Sequence, residues 1–483
     1  TVDGVPYTFK KNEAFTYVAG KMHNFTIKVD KKEASGKYEF TLIDESITAW
    51  ENDMASHEAT AKEYIVINVE KAGTLKECIK NANKDYTKLQ NLKITGEIDI
   101  NDFYFMRDKM SKLQAINLKE VLIKKGTYIN EYGGYENGEE LAIPNSAFNK
   151  KMSLLRMVLP DKLERIEQSA FADCKYLSGS LIIPEGVTYI GSNAFYSCSS
   201  LTGSLSLPTT LKKINGGDFS GNQGAFQQCG FVCELILPEN LEEIGMRCFQ
   251  GCSGLYGNLN IPSQVTYIGE EAFADCKNLT GSITIPQGVT EINNSTFRSS
   301  GLNGILTMHD GIIAIGPDAF NGTALKGELI LPQNLTIIND NAFAYCDFSG
   351  ELKLPKGIYT IGNNAFKNNW RLMGTLEIPE NVQSIGAGAF ANCRSLEGIV
   401  FPEGIENIRF ESMWGDEGGA FSNCFGISSI VCKGIIPAYV QVGAFNGVAK
   451  DNFTLEVPES AIQQYKTAVG WNDFKRISAH REL

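Results

Sequence analysis

Residues 183–208 read IPEGVTYIGSNAFYSCSSLTGSLSLP, and residues 261–286 read IPSQVTYIGEEAFADCKNLTGSITIP. One phrase has been written twice, and counting from its Ala-Phe pair finds it many times more. Phe recurs at 148, 171, 195, 226, 249, 273, 297, 320, 343, 366, 390, 421 and 445, at intervals of 23 or 24 residues apart from two of 31. A fixed period of this size is the signature of stacked units, each too small to bury its own apolar face. Length therefore says little about domain number here, because such a chain grows by adding coils to one continuous core.

The shared pattern is G-x-L-x-[IL]-P-x-x-[VL]-x-x-I-[GN]-x-x-A-F-x-x-C-x-x-L, and each fixed letter has a physical task. Leu205 and Leu207 alternate with Ser204 and Ser206, the period of two expected of a strand with one buried face. Pro208 ends that strand where no ladder donor is needed. Val187 and Ile190 turn inward again, and Gly191 is expected to allow a backbone conformation that larger residues resist. Ala194 and Phe195 open a short helical or irregular return, and Leu201 closes the coil. Equivalent strands of successive coils then lie about 4.8 Å apart in a parallel sheet, with the phenylalanines stacked as a spine.

These features define a leucine-rich repeat solenoid of stacked parallel β-strands with short helical or irregular returns, following a small β-rich N-terminal segment. Four regions are expected: strands over 1–58, an N-terminal cap over 59–145, the repeats over 146–457 and a C-terminal cap over 458–483. Leu92, Ile94, Leu113, Ile116 and Leu118 mark irregular first coils. VPESAIQQYKTAVGWNDFKRI (457–477) reads as a closing amphipathic helix and tail with Ser460 as its N-cap.

The phrases IPEGVTYIGSNAF and IPENVQSIGAGAF, with the terminal VPESAIQQYKTAVGWNDFKRI, resemble the BspA-like, or Treponema pallidum type, bacterial leucine-rich repeats over roughly Ala72–Ile477. The resemblance implies an exported bacterial protein, at the cell surface or secreted, that adheres to host matrix proteins, host cells or other microbes. It carries no catalytic residues. Residues 1–58, with FTYVAGKMHNFTIKVDKKE and ESITAWEND, are similar to the closing strands of fimbrillin-like domains. A start at Thr1 without an apolar leader is expected of a processed or shortened chain, with any export signal or lipid-bearing Cys lying upstream.

Composition narrows the partners. A net charge of −12 and a pI near 5.1 oppose binding to nucleic acid or anionic membranes, both of which need clustered Lys and Arg. No run of 18 apolar residues spans a bilayer. Eight of the 12 cysteines follow the repeat Phe by three residues: Cys174, Cys198, Cys229, Cys252, Cys276, Cys346, Cys393 and Cys424. Stacked equivalents have parallel Cβ vectors, whereas a disulfide needs convergent ones, so these are expected as buried free thiols. Cys78, Cys233, Cys248 and Cys432 lie off that ladder and are the candidates for bridges. One ligand per coil makes a line rather than a tetrahedron, so no metal is expected.

The four histidines are scattered, and His309 stands where the repeat usually has Pro, as a turn residue. No Walker, Rossmann, zinc-protease or nucleophile-elbow pattern occurs. The chain is therefore expected to be non-enzymatic and to carry no cofactor.

Binding residues are sought where the repeat is interrupted. The insertions GGDFSGNQG (216–224) and RFESMWGDEGG (409–419) account for the long intervals and offer Asp218 and Asn222, and Phe410, Trp414 and Asp416. GTYINEYGGYENGEE (126–140) is a tyrosine- and glycine-rich loop with Tyr128, Tyr132 and Tyr135, in the style of adaptable paratopes. Ser204, Asn258 and Ser282 belong to a small-polar strip on the outward sheet face, which doubles as an ordinary solvated surface. The expectation is an adhesin for extracellular protein or glycan, with oligomeric state open. Glycan capture for nutrient uptake and passive presentation of an N-terminal domain are the alternatives.

Overall fold

In the computed structural model the chain divides into two compact units, Thr1–Tyr64 and Ile65–Leu483. The structure describes residues 21–31, 38–49, 64–218, 221–409 and 418–480. In the first unit β1 (Lys21–Lys31) and β2 (Tyr38–Ala49) pair antiparallel, with an irregularity between Thr26 and Ile27. Trp50 of the ESITAWEND stretch lies outside the described residues.

The second unit is the solenoid, and its spine follows from the spacing of the Phe residues. Successive rings from Phe148 to Phe445 stack with centroids 5.2–5.8 Å apart and nearly parallel planes. All are buried, together with the Ile, Leu and Val of the pattern. Each coil buries its apolar side chains only because both neighbours are present.

Three hydrogen-bonded ladders run along the solenoid. The L-x-[IL] segments form the first parallel sheet, as in the pairing of Leu181 with Leu205 and of Ile283 with Leu306. It is interrupted in the middle and becomes seven-stranded from Lys326 to Ala479. The second parallel sheet departs from the sequence expectation. Two-residue strands at Tyr189–Ile190 and its equivalents pair in one six-stranded and one seven-stranded ladder, from Ala142 to Tyr439. In the sequence this segment shows only the inward-facing Val187 and Ile190. Its strands are too short to display alternation, so nothing but the inward Ile marks them.

The third ladder lies on the return through Ala-Phe. This side has turns and no α-helix. The Phe195 N–H donates to the Ala225 carbonyl of the next coil at 2.7 Å, and Phe320 donates likewise to Ala342 at 2.9 Å. Two residues in left-handed conformation flank most returns, such as Asn193 (φ 57°) and Ser197 (φ 59°). Short polar side chains tolerate that region best, which explains the Asn, Asp and Ser found there.

Gly191 does a different job from the one expected. Its backbone is not left-handed. A Cβ there would lie 2.7 Å from the Gln168 nitrogen and 2.8 Å from the Glu167 carbonyl carbon, so on this coil glycine serves close approach of successive backbones, although other coils carry Asn at the same position. The free conformations sit two residues before and after Phe instead.

Both ends of the spine are covered. At the N-terminal end β3 (Ile65–Val69), β4 (Asn91–Ile98) and β5 (Ala115–Ile123) stack in parallel, and the expected Leu92, Ile94, Leu113, Ile116 and Leu118 are buried. Two helices unforeseen in the sequence, α1 (Leu75–Asn81) and α2 (Ile100–Lys109), complete this cap. The second starts with a capping box between Asp99 and Asp102, and Phe103 closes the spine edge-on against Phe148 at 5.9 Å.

At the other end Trp471 and Phe474 cover Phe445 at 5.6 and 5.8 Å. Trp471 Nε1 donates to the Ala438 carbonyl at 2.9 Å. Ser460 is not an N-cap. Pro458 starts a 3-10 turn over Glu459–Ala461, which places Ser460 inside that turn, and the short α3 (Ile462–Thr467) has no side-chain cap.

Candidate binding surface

The cysteines illustrate how completely the interior is committed to architecture. All twelve are free, including the four off the ladder. Each ladder thiol points to the Phe carbonyl of the preceding coil, as for Cys174 to Phe148 at 3.0 Å and Cys276 to Phe249 at 3.0 Å. Burial pushes the Cys174 thiol up to about 12 and raises the others well above the ordinary thiol range. Cys248 occupies the Ala position before Phe249 and is buried with it. At the first coil the Cys position is Lys151, whose Nζ donates to the Arg107 and Met110 carbonyls at 2.8 and 2.7 Å. A cation thereby caps the C-terminal end of α2.

His309 serves the turn expected of it. Its ring accepts from the Gly311 N–H at 3.1 Å through Nδ1 and meets the Pro286 carbonyl at 2.9 Å through Nε2. Among the described residues no group of three His, Cys, Asp or Glu side chains could hold a metal ion, and no helix is long and apolar enough to cross a membrane.

The tyrosine-rich segment is a hairpin rather than an open loop. β6 (Gly126–Ile129) pairs with β7 (Tyr135–Gly138), and the Asn130 side chain closes the turn by accepting from the Tyr132 and Gly134 N–H groups. Tyr128 packs edge-on against Tyr104 at 4.7 Å and belongs to the cap. The Tyr104 hydroxyl meets the Glu136 carboxylate and the Asn145 carbonyl, tying the hairpin to α2. Tyr132 and Tyr135 project into solvent, 89% and 73% exposed.

In the first insertion, Asp218 accepts from the Asn222 N–H and side-chain amide at 3.2 and 2.7 Å. Asn222 Oδ1 in turn accepts from Gln168 at 2.7 Å and Asn193 at 3.3 Å on earlier coils. Both residues are engaged in holding the loop to the solenoid. Phe410, Trp414 and Asp416 lie outside the described residues. On the first sheet Asn258 and Ser282 are exposed, Ser204 is half-buried and bonded to Ser180 at 3.0 Å, and Ser282 Oγ accepts from the Ile305 N–H at 2.9 Å. Asn258 and Ser282 sit on neighbouring coils, and Ser204 is separated from them by the coil of Glu234. The hairpin belongs to the N-terminal cap, so these residues do not converge on one site.

Near its N-terminal end the second sheet's outer side chains pair with one another. Arg165 lies 4.0 Å over the Tyr189 ring, Lys212 pairs with Glu242 at 3.1 Å, and Lys213 pairs with Glu243.

A different row is not self-satisfied. The fourth residue after Phe stands at the corner between the return and the first sheet, and on three successive coils it is Trp370, Arg394 and Phe425. Trp370 and Phe425 are 58% and 56% exposed, and the Arg394 guanidinium lies 5.8 Å from each ring centroid. Among the described residues no carboxylate pairs with Arg394. Sequence reading missed this row because it falls on a variable letter of the repeat. The signal available was aromatic–Arg–aromatic at one repeat phase.

The fold and this surface define a repeat scaffold of the leucine-rich class, which presents side chains on a regular core. Within that class the chain belongs to the BspA type leucine rich repeat region family, whose model matches residues 141–224, 220–348 and 313–450 in six copies. No curated protein matches. Solved structures similar to this chain include a leucine-rich repeat protein from Bacteroides ovatus ATCC 8483, 17% identical over 97% of this chain and 100% of that one, with a TM-score of 0.45. A leucine rich cell surface protein from Faecalibacterium prausnitzii A2-165 is 20% identical over 87% and 95%, with a TM-score of 0.35. The T. pallidum leucine rich repeat protein is 23% identical over 38% and 83%, with a TM-score of 0.28.

Proposed function

We infer that the protein is a non-enzymatic binding scaffold, exposed at a bacterial surface or secreted, that adheres to an extracellular protein of a host or of another microbe. Membership of the BspA type family supports a protein-binding role. The observation that carries the reading is the division of labour along the spine. From Phe148 to Phe445 the inward residues are spent on packing, which leaves the outward residues as a rigid row whose spacing is set by the coils. Such preorganisation lowers the ordering cost of binding.

The test is saturable binding of the purified chain to immobilised extracellular-matrix proteins, with a glycan array beside it. Saturation on one or more proteins is expected. Absence of saturable binding on every matrix protein would overturn the adhesin reading.

A further inference from the structure

We propose that Trp370, Arg394 and Phe425 form the contact centre of the protein-binding surface, and that it receives a partner segment presenting a carboxylate beside apolar side chains. This deepens the binding role inferred above and rests on it.

The first observation is an exposed apolar row that packing does not explain. Trp370 and Phe425 lie two coils apart, about 10 Å at the usual strand spacing, and neither ring meets another aromatic ring among the described residues. Their neighbour Met373 is 47% exposed, and it pairs with Ser395, the residue next to Arg394. Solvated solenoid surfaces have no need of adjacent Trp, Met, Arg and Phe. Those four are the types enriched at interface cores, and Trp and Arg dominate hot spots.

The second observation is charge. The chain carries a net −12, yet this corner presents an exposed arginine. Arg371 is neutralised by Asp347 at 3.1 Å, whereas Arg394 has no ion pair among the described residues and is held between two rings. A guanidinium so placed keeps its planar edge for a bidentate carboxylate while its faces are covered. The nearest acid along the same row, Asp347, is the one already engaged.

The third observation excludes one mode of docking. The main chain here is spent on the next coil: Asn368 N–H donates to Ala391 at 2.9 Å and Asn392 N–H to Ser422 at 2.8 Å. A partner therefore cannot add a strand and must bind through side chains. Asn368 (φ 64°) and Asn392 (φ 62°) run beside the row and supply amides at its border. Their side is close to the row, because a Cβ on Gly447 would meet both Asn423 Oδ1 at 2.8 Å and Phe425 Cε1 at 3.0 Å. Apolar rings around one cation, with a polar border, fit an acidic–apolar protein segment better than a sugar.

The experiment uses the full chain and its Arg394→Glu, Arg394→Lys and Trp370→Ala variants, each checked by its thermal melt. The probes are a synthetic peptide alternating Asp with Phe and Leu, the same peptide with Asn for Asp, sialyllactose and polygalacturonate. Binding of the Asp peptide is expected, weaker by about tenfold or more in Arg394→Glu and Trp370→Ala, with Arg394→Lys in between. The Asn peptide is expected to bind as weakly as the Asp peptide binds Arg394→Glu.

Equal binding of the Asp and Asn peptides, unchanged binding by Arg394→Glu, or tighter retention of either acidic sugar would overturn the proposal. The same variants on the matrix-protein panel separate the two readings. If the unmodified chain binds and Arg394→Glu binds equally, only the contact centre is wrong. If the unmodified chain binds none of the matrix proteins, the adhesin reading itself fails.

Discussion

The thiol of Cys198 donates to the main-chain carbonyl of Phe171, one coil earlier, at 3.2 Å. That contact makes a recurrent cysteine a structural donor and removes any need for redox or metal chemistry to account for it. The equivalent hydroxyl on another coil behaves differently. Ser300 Oγ is buried without a hydrogen-bond partner, whereas Thr323 at the same position turns its hydroxyl to the Phe320 carbonyl of its own coil at 2.9 Å, so neither reaches the preceding coil as the longer C–S bond does. Cys198→Ala is expected to cost about 1–3 kcal/mol through a small cavity and a lost acceptor partner. Cys198→Ser is expected to cost at least as much, since it buries a hydroxyl that, as at Ser300, loses the contact to the preceding coil. Urea unfolding midpoints of the two variants check the order, and a Ser variant close to wild type would contradict it.

Burial that raises the ladder thiols also makes them inert, because the thiolate is the reactive form. Iodoacetamide applied to the native chain should modify Cys78 and Cys233, the two half-buried cysteines, and leave the ten buried ones untouched. Cys233 should react slowly, since burial raises its thiol too. Mass spectrometry of native and urea-unfolded samples counts the labels, and labelling of Cys276 in the native chain would show that the coils open readily.

The fold was legible because its information is repeated. Phe, Ile and Cys recur at one period, so stacking, spine and buried thiols follow from spacing alone. The second sheet was hidden because Tyr189–Ile190 is too short to alternate. Helix α2 was hidden because its Asp99–Asp102 cap was embedded in an apolar stretch read as an irregular coil. The surface was the least legible part. Trp370, Arg394 and Phe425 occupy a position held elsewhere by Lys175, Ser199 and Lys277, and a consensus discards the letters that vary. Insertions attracted attention instead, yet Asp218 and Asn222 are occupied with each other.

Asp102 gives the N-terminal cap a pH dependence of defined sign. Its carboxylate is buried and accepts from the Gly73, Leu75 and Asp99 N–H groups at 2.7, 2.9 and 3.1 Å. Burial pushes its pKa from 3.8 up to about 6, against the pull of those donors. Because the folded value lies above the unfolded one, the stabilising contribution is full below about pH 4 and is lost as pH rises through 6, by about 3 kcal/mol at most. Lys151, which burial lowers from 10.5 to about 8, acts in a separate window and loses its contribution as pH falls through 8. The difference in unfolding midpoint between wild type and Asp102→Asn should therefore shift in favour of Asp102→Asn between pH 4 and 7. Hydrogen exchange in α2 measures it locally, and a difference that stays constant with pH would refute the assignment.

Where the residue after the inward Ile faces main chain directly, as at Gly245, it is hard to replace, and the reason is backbone proximity. A Cβ on Gly245 would collide with the nitrogen and Cα of Gly216 on the preceding coil, whereas a Cβ on Gly404 would have only the Glu380 carbonyl at 3.5 Å for a neighbour. Neither glycine needs a left-handed backbone, so conformational freedom does not separate them. Main-chain atoms cannot rotate aside as a side chain does, and in a stacked solenoid the displacement must pass to both adjoining coils. Gly245→Ala is therefore expected to lower the unfolding midpoint by the equivalent of several kcal/mol or to prevent folding, while Gly404→Ala should fall within about 0.5 kcal/mol of wild type. Paired thermal melts decide it. If Gly245→Ala is tolerated as well as Gly404→Ala, the coils are not held at the separation that the Phe spine and the second sheet require.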